Sequence, residues 1–148
     1  MVGSPYQTTQ NIISDLRYLK ELKPDMIGIG PYITHKETPF ADKKSGSITL
    51  TLRVLAILRL MFPKSLIPAT TALGTLDNEG QKKGILSGAN VIMPNATAVG
   101  YRAGYQLYAN KPNLDENAEE TMAALEASVK SIGETLRLNE LGDSPHAK

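Results

Sequence analysis

Two adjacent threonines, Thr70 and Thr71, stand at the end of the apolar run IPATTA and are suited to hold a small ligand. Asn95 stands in the same way at the end of a second apolar run, NVIMPN. Hydroxyl and amide groups both donate and accept hydrogen bonds, so these three side chains could bind a carboxylate or amide group. The same residue types also cap helices and form turns. Spacing alone leaves both interpretations open.

Glycines and tyrosines add to this candidate site. Gly28 and Gly30 interrupt an apolar run, which indicates a strand end where the backbone comes close to a ligand. Tyr101, Tyr105 and Tyr108 follow the last short apolar run, and a phenol combines an apolar face with a polar hydroxyl. Residue type alone favours core packing for these tyrosines, with a ligand-lining role as the alternative.

Other chemistries find little support in the sequence. Ile33 stands where a dinucleotide-binding loop would carry its third glycine, and Pro31 would remove an N–H that faces phosphate. His35 and His146 have no partner at metal-ligand spacing, and no G-x-S-x-G elbow presents a serine. The chain has no cysteine, which excludes a disulfide, a thiolate nucleophile and a cysteine-ligated iron–sulfur cluster within it. We therefore predict neither a catalytic residue nor a metal ligand here.

Size and charge are those of an ordinary soluble domain. The 148 residues suffice for one domain, or for about half of a ~250-residue (β/α)8 barrel. A formal net charge of +1 and short, isolated lysine pairs argue against a nucleic-acid partner. No apolar run is long enough to span a bilayer and no basic, then hydrophobic leader opens the chain, so we expect a cytoplasmic protein without a membrane partner.

Apolar periodicity alternates between short runs and helical stripes. Four strand-like runs are Met1–Gly3, Asp25–Ile33, Leu66–Ala72 and Asn90–Met93. Helical patterns follow them, beginning with a cap at Thr8 or Thr9 and then covering Thr49–Phe62, Gln81–Leu86 and Tyr101–Tyr108. A last helical pattern runs from Asp115 to Asn139. The predicted fold class is α/β, with four βα units forming half of a (β/α)8 barrel, plus a long C-terminal helix.

Four stretches in this order, MIGIGPYITHKETPFAD, IPATTALGT, GANVIMPN and YRAGYQLY, resemble the radical-SAM family that includes HydE and biotin synthase. The similarity extends from Met1 to about Lys111. It implies that residues 1–111 are a C-terminal half-barrel of the kind called the biotin and thiamin synthesis associated domain. Residues 112–148 would then be a C-terminal helix and tail of the same domain.

The resemblance also implies cofactors and site residues. The intact family enzyme uses S-adenosylmethionine and a [4Fe–4S] cluster held by a CxxxCxxC loop, and this chain has neither that loop nor a cysteine. Met1 and Gly3 match part of a segment near the adenosine, with Gln7 replacing its glutamate, and Ile33 would lie against the adenine. The substrate-side residues would be Thr70 and Thr71 for a carboxylate, Met26 facing the interior, and Tyr105 and Tyr108 on the far wall, with Asn95 near them.

Two functional hypotheses follow. The chain is either the substrate- and SAM-binding half of such an enzyme, inactive alone, or a non-catalytic half-barrel for binding or assembly. The substrate would be a small amino-acid-like or carboxylate compound. A half-barrel with Met26, Ile67 and Ile92 on its inner face would leave that face exposed, which predicts pairing with a missing N-terminal half-barrel or a homodimer.

Overall fold

The computed structural model of the chain describes residues 1–94, 101, 118–138, 140 and 142. Five helices are its main elements, and they are α1 (Thr9–Leu22), α2 (Ile48–Met61), α3 (Thr71–Leu76), α4 (Gly80–Leu86) and α5 (Ala118–Lys130). None of the helices in these ranges is long and apolar enough to cross a membrane.

Helix α1 begins where its sequence predicts. Thr8 is the N-cap: its hydroxyl accepts from the Asn11 N–H at 3.2 Å, and the Asn11 side chain accepts from the Thr8 N–H at 2.8 Å. This reciprocal pair satisfies two amides that the helix itself cannot use. Lys23 ends the helix in a left-handed conformation, with φ at 51°, just before Pro24.

Helix α2 supplies most of the core. Ser47 caps it by accepting from the Leu50 N–H at 3.2 Å, and its buried face carries Val54, Leu55 and Leu58. Those side chains form one cluster with residues from the extended segments and from α3, namely Val2, Ile27, Ile67, Ala69, Leu73 and Ala89. The predicted apolar stripe is thus the face that packs against the rest of the domain.

Helices α3 and α4 pack closely because glycines remove side chains at their contact. A Cβ atom at Gly80 would lie 2.1 Å from the carbonyl oxygen of Leu73, and one at Gly84 would lie 3.0 Å from a Leu73 methyl carbon. Only glycine permits an approach of this kind. The predicted helix Gln81–Leu86 is confirmed as α4, whereas α3 is a helix that the sequence pattern does not predict.

The four predicted strands appear among the described residues only as isolated parallel bridges. The bridges join Val2 to Pro31, Met26 to Leu66, and Pro68 to Val91. They connect four extended segments in chain order, and each is parallel. Pairing of this extent does not establish four βα units, since no longer strand forms in the described part of the chain.

Two predicted boundaries are wrong. The strand predicted over Leu66–Ala72 stops at Thr70, because α3 begins at Thr71. The last helix ends at Lys130 rather than at Asn139. Gly133 has a φ of 81°, and the Glu134 N–H donates back to the Val129 carbonyl at 3.2 Å, which is the hydrogen bond of a glycine-based helix stop.

One predicted inner-face residue lies on the other side. Ile67 has no exposed surface and belongs to the core cluster beneath α2, so it faces the helices. Met26 is 48% exposed and alternates with the buried Ile27 along the same extended segment. Alternation with period two therefore puts Met26 and Ile67 on opposite faces.

Candidate functional site

Gly30 and Thr70 meet where two neighbouring extended segments end. A Cβ atom built at Gly30 would lie only 2.6 Å from the Thr70 hydroxyl oxygen. The threonine hydroxyl therefore occupies space that any other residue at position 30 would fill. The glycine is required here for close approach, as its sequence context indicates.

The side-chain hydroxyl of Thr70 is buried but makes no hydrogen bond that would stabilise the described structure. Its Oγ1 atom is buried and has no hydrogen-bond partner within the described residues. Although Thr70 is the N-cap of α3, its side chain makes no capping hydrogen bond. A buried hydroxyl without a partner costs about 1–3 kcal/mol, so this oxygen is suited to a ligand. The capping interpretation holds for the position of Thr70 but not for its hydroxyl.

Thr71 is the first residue of α3 and is half-buried beside Thr70. Its carbonyl accepts from the Thr75 hydroxyl at 3.1 Å. The structure thus brings Gly30, Thr70 and Thr71 to one end of the extended segments. Met26 lies further back on the segment that contains Gly30 and is exposed on the opposite side from the core.

Gln7 holds the first residues of the chain, a role that its sequence context does not indicate. Its side-chain amide accepts from the Gly3 N–H at 2.6 Å and donates to the Met1 carbonyl at 3.1 Å. Gly3 has a φ of 76° and packs on Gly46, where a Cβ atom would lie 2.7 Å from the Gly46 Cα. The Gly3 amide is therefore already engaged, and Met1 is exposed.

Ile33 lies at the start of a loop that turns back on itself. The Thr34 hydroxyl donates to the Phe40 carbonyl at 2.8 Å, and the Thr34 N–H donates to the Ser45 hydroxyl at 3.2 Å. The Phe40 ring meets the ring of Tyr6 edge to face at 6.2 Å between centroids. Tyr6 itself has a φ of 67°, a strained value for a non-glycine residue. No sequence signal points to this pair of rings.

Among the charged side chains, Arg59 makes several hydrogen bonds: its Nε donates to the Gly88 carbonyl at 2.7 Å, and Nη1 donates to the carbonyls of Phe62, Pro63 and Ser65 at 2.9–3.1 Å. Burial lowers the pKa of Arg59 from its usual value. The Arg59 guanidinium thus connects the end of α2 to two loops. In the sequence, only the position of Arg59 shortly before Pro63 indicates this connection.

Asp77 and Lys83 form an ion pair between the end of α3 and α4. The hydrogen bond from Lys83, followed by one from the Glu79 N–H, lowers the pKa of Asp77. No group of three or more metal-ligating side chains occurs in the portion of the chain that the structure covers.

An apolar groove of about 260 Å³ opens beside α1. Its walls combine one face of α1, two core residues of α2 and the exposed edge of the second extended segment. The principal side chains are Ile12, Leu16, Leu19, Val54, Leu58 and Met26. The groove is distinct from the Gly30–Thr70 contact, since neither of these residues lines it.

Three predicted site residues, Asn95, Tyr105 and Tyr108, lie outside the described residues, and Tyr101 is exposed. The described site can bind through hydroxyl and backbone groups.

No family model matches the chain. Among characterised proteins, it is 51% identical over 111 residues to the [FeFe] hydrogenase maturase subunit HydE of Thermotoga maritima. That match covers 75% of this chain and 32% of the relative. It is also 36% identical over 91 residues to the 3-methylornithine synthase of Methanosarcina acetivorans, and 33% identical to that of Methanosarcina barkeri, each over 25% of the relative.

The chain therefore spans about a third of the length of HydE and a quarter of the length of the two synthases. Two differently named enzymes match the same chain, and both are radical-SAM enzymes. The resemblance to the radical-SAM enzymes of the HydE kind is confirmed, and this chain is homologous to a part of such an enzyme.

Proposed function

We propose that the chain is the C-terminal, substrate- and SAM-binding half of a radical-SAM enzyme of the HydE kind and has no catalysis of its own. The observation that carries this proposal is the buried Thr70 hydroxyl, which has no partner in the described structure and lies against Gly30. An oxygen in this condition gains a hydrogen bond when a ligand arrives. A carboxylate of a small amino-acid-like compound would accept that bond, with Thr71 beside it.

The half-barrel architecture is part of the proposal. Three parallel bridges in chain order, with α1 and α2 between the first three segments, are the pattern expected of successive βα units. On this view Thr70 and Thr71 lie at the C-terminal end of a strand, the end at which barrel enzymes bind their ligands. Asn95, Tyr105 and Tyr108 would complete the same face.

Of the two cofactors of such an enzyme, the residues of this chain fit one and not the other. A [4Fe–4S] cluster does not fit this chain, because the sequence has no cysteine to ligate it. S-adenosylmethionine fits better, although this chain would contact only one side of the molecule. The Gly3 amide donates to Gln7, so contact with the nucleoside would fall to the Met1 and Ile33 side chains. The cofactor supplies radical chemistry when bound, and this chain supplies walls and orientation.

A non-catalytic assembly module is the second candidate, and one observation favours it. Met26 and Met93 are 48% and 55% exposed, although their neighbours Ile27 and Ile92 are more buried. Exposed apolar surface of this kind favours association with a complementary half-barrel or with a second copy. Size-exclusion chromatography with light scattering tests self-association at micromolar concentration. A monodisperse monomer would exclude the homodimer.

Binding of an amino acid tests the role of Thr70. L-ornithine is a suitable probe, because two of the relatives are named 3-methylornithine synthase. The chain would be combined with the remaining portion of the Thermotoga maritima HydE relative and titrated calorimetrically. Thr70→Val keeps the volume but removes the hydroxyl, and we expect it to weaken binding by about 10-fold, since a lost hydrogen bond in a buried site costs ~1–3 kcal/mol.

Thr49→Val is the matched control, because Thr49 is an exposed residue of α2 away from the site. Equal affinities for the Thr70 and Thr49 variants would return Thr70 to a packing role. The combined protein should also convert S-adenosylmethionine to 5′-deoxyadenosine, and the chain alone should not. Cleavage by the chain alone would contradict the proposal.

A further inference from the structure

A tight turn puts Tyr6 in a conformation that favours glycine. The Gln7 N–H donates to the Ser4 carbonyl at 3.0 Å, which closes a four-residue turn. The ring of Pro5 fixes its φ at about −65°, and Tyr6 has a φ of 67°, so the turn is of type II. The second central position of such a turn is the usual place of glycine or asparagine. A tyrosine at that position strains the backbone.

The Tyr6 ring contributes little to the hydrophobic core. Tyr6 is 81% exposed, and the ring that it contacts in the described structure is that of Phe40. Phe40 is itself 39% exposed and lies outside the core cluster. The two rings meet edge to face, with an interplanar angle of 70°. Because the Tyr6 ring is so little buried, core packing does not explain a tyrosine in this turn.

Phe40 belongs to a loop, residues 34–45, that is hydrogen-bonded within itself. The Phe40 carbonyl accepts from the Thr34 hydroxyl at 2.8 Å and from the Lys43 N–H at 3.0 Å. The Thr34 N–H donates to the Ser45 hydroxyl at 3.2 Å. These bonds connect the middle of the loop to both of its ends. A contact made by Phe40 therefore restrains the whole loop.

Glycines bring the turn and the loop together at their base. A Cβ atom at Gly46 would collide with the Val2 carbonyl oxygen, and one at Gly3 would lie 2.7 Å from the Gly46 Cα. This close approach fixes where the loop ends. The contact between Tyr6 and Phe40 joins the same two parts of the chain a second time, at the middle of the loop.

The turn and the loop lie on the side of the domain that carries the candidate site. The extended segments are parallel, so the loops that follow them leave from one end. Thr70 stands at that end of the third segment, and Ile33 stands at that end of the second. The backbone of Ile33 continues directly into Thr34, whose hydroxyl binds the Phe40 carbonyl. What holds Phe40 therefore also restrains Ile33.

We propose that Tyr6 is a positioning residue, which holds the loop of residues 34–45 through Phe40 and thereby orients Ile33 toward a bound nucleoside. This role accounts for a tyrosine where the turn favours glycine. The inference rests on the proposed function, in which the Ile33 side chain contacts S-adenosylmethionine. It adds the residue that fixes that side chain, and it assigns Tyr6 no contact with the reacting groups.

Hydrogen exchange of backbone amides, followed by NMR in the chain alone, tests the contact without a ligand. Tyr6→Gly removes the ring and relieves the turn, so it should not lower the urea midpoint of unfolding. We nevertheless expect the Thr34 and Lys43 amides to exchange about 3- to 10-fold faster, the effect of losing one edge-to-face pair. The Gly46 amide, at the base of the loop, should keep its rate.

Two results of this experiment would overturn the proposal. One is exchange at Thr34 and Lys43 that matches the parent chain in Tyr6→Gly. The other is a lowered midpoint with faster exchange at Gly46 as well, because Tyr6 would then support the fold rather than the loop.

Further variants separate the ring from the hydroxyl. Tyr6→Phe keeps the ring that makes the contact and should exchange like the parent chain. Phe40→Leu keeps apolar volume without a ring and should reproduce Tyr6→Gly, and the double variant should add little, since both remove one contact. Tyr18→Ala is the matched control, because Tyr18 is 63% exposed on α1. Faster exchange in Tyr6→Phe or in Tyr18→Ala would contradict the assignment of the effect to the Tyr6 ring.

S-adenosylmethionine is the probe for the second measurement, with the chain combined with the remaining portion of the Thermotoga maritima HydE relative. Tyr6→Gly should raise KM for this cofactor about 3- to 10-fold and leave kcat near that of the parent, because it loosens a binding surface only. Tyr6→Phe should restore the parent KM. An unchanged KM in Tyr6→Gly overturns the positioning role. If the parent combination does not cleave S-adenosylmethionine, the proposed function fails, while amide exchange still decides whether Tyr6 holds the loop.

Discussion

The region around α2, α3 and α4 is complete, while the region around α1 is open. Leu55, Leu58, Ile67 and Leu73 are each at most 1% exposed, and glycines allow α3 and α4 to touch. In contrast, α1 has no buried residue anywhere along its described length. Its apolar face borders an open apolar groove.

Both α1 and α2 carry apolar residues at helical spacing, and both are capped by a hydroxyl residue. Composition explains part of the difference, since α2 (ITLTLRVLAILRLM) is apolar over much of its surface whereas α1 (TQNIISDLRYLKEL) is polar outside one stripe. The elements that surround each helix explain the rest. The comparison teaches that an amphipathic helix identifies a face to be buried but not whether the chain itself buries it.

Leu58→Ala should have the largest effect on stability. Leu58 is 1% exposed within the α2 core, and truncation there leaves a cavity as well as losing apolar burial. We expect the free energy of unfolding to fall by about 2–5 kcal/mol, measured by urea denaturation. Leu60→Ala is the control, because Leu60 is 82% exposed two residues later, and it should change stability by less than ~0.5 kcal/mol. Similar losses for both variants would show that the α2 core is not closed.

Arg59→Met should come next. The guanidinium donates to four carbonyls around the end of α2, and methionine preserves much of the apolar stem while leaving those carbonyls without their donor. A loss of about 1–3 kcal/mol in the free energy of unfolding is expected. Arg53→Met, on the exposed face of the same helix, is the comparison. If Arg59→Met proved as mild as Arg53→Met, the loops would be held by other contacts.

Much of the helical structure could be predicted from the sequence. The Thr8 cap, the α2 stripe and α4 follow from local patterns that act over a few residues. The start of α3 at Thr71 could not be predicted, since IPATTALGT suits a strand and a helix equally and packing against Gly80 decides. The end of α5 depends on one glycine, Gly133, whose left-handed conformation interrupts an apolar pattern that continues to Leu136.

The candidate site could be predicted only in part, because local patterns identify its residues but not the contacts between them. Thr70 is recognisable from its position after an apolar run, and Gly30 from its place in a strand-like segment. Their contact, and the absence of a capping bond, depend on how two segments distant in sequence lie side by side. The role of Gln7 could not be predicted, because its hydrogen bonds to Met1 and Gly3 follow from a turn that the sequence does not specify.

Thr70→Val should change stability less than the core substitutions do, and it should not destabilise the chain. The Thr70 hydroxyl is buried without a partner in the described residues, so its removal at constant volume should leave stability unchanged or raise it by up to ~1 kcal/mol. Thr51→Val is the matched change, because the buried Thr51 hydroxyl donates to the Ser47 carbonyl at 2.9 Å, and it should lose about 1 kcal/mol. Thermal unfolding without ligand measures both. A clear loss with Thr70→Val would mean that the hydroxyl has a structural partner.

Asp77→Asn should have the smallest effect, and one that depends on pH. The hydrogen bond from Lys83 and then that from the Glu79 N–H lower the pKa of Asp77 in the folded chain. A group with a lowered folded pKa stabilises at pH values above its unfolded pKa, and this contribution is lost as the pH falls through the folded pKa. The variant should therefore unfold at a slightly lower temperature than the parent chain at about pH 7, and the difference should shrink as acid protonates the Asp77 carboxyl of the parent chain.

Lys83→Met should reproduce that pattern, because it removes the other member of the ion pair that joins the end of α3 to α4. The double variant should lose little more than either single variant, since both remove one interaction. Differential scanning calorimetry at a series of pH values measures all four chains. A difference between parent and Asp77→Asn that persists unchanged at the lowest pH would show that Asp77 acts through packing rather than through its charge, and the contact between α3 and α4 would then rest on the Gly80 and Gly84 approach alone.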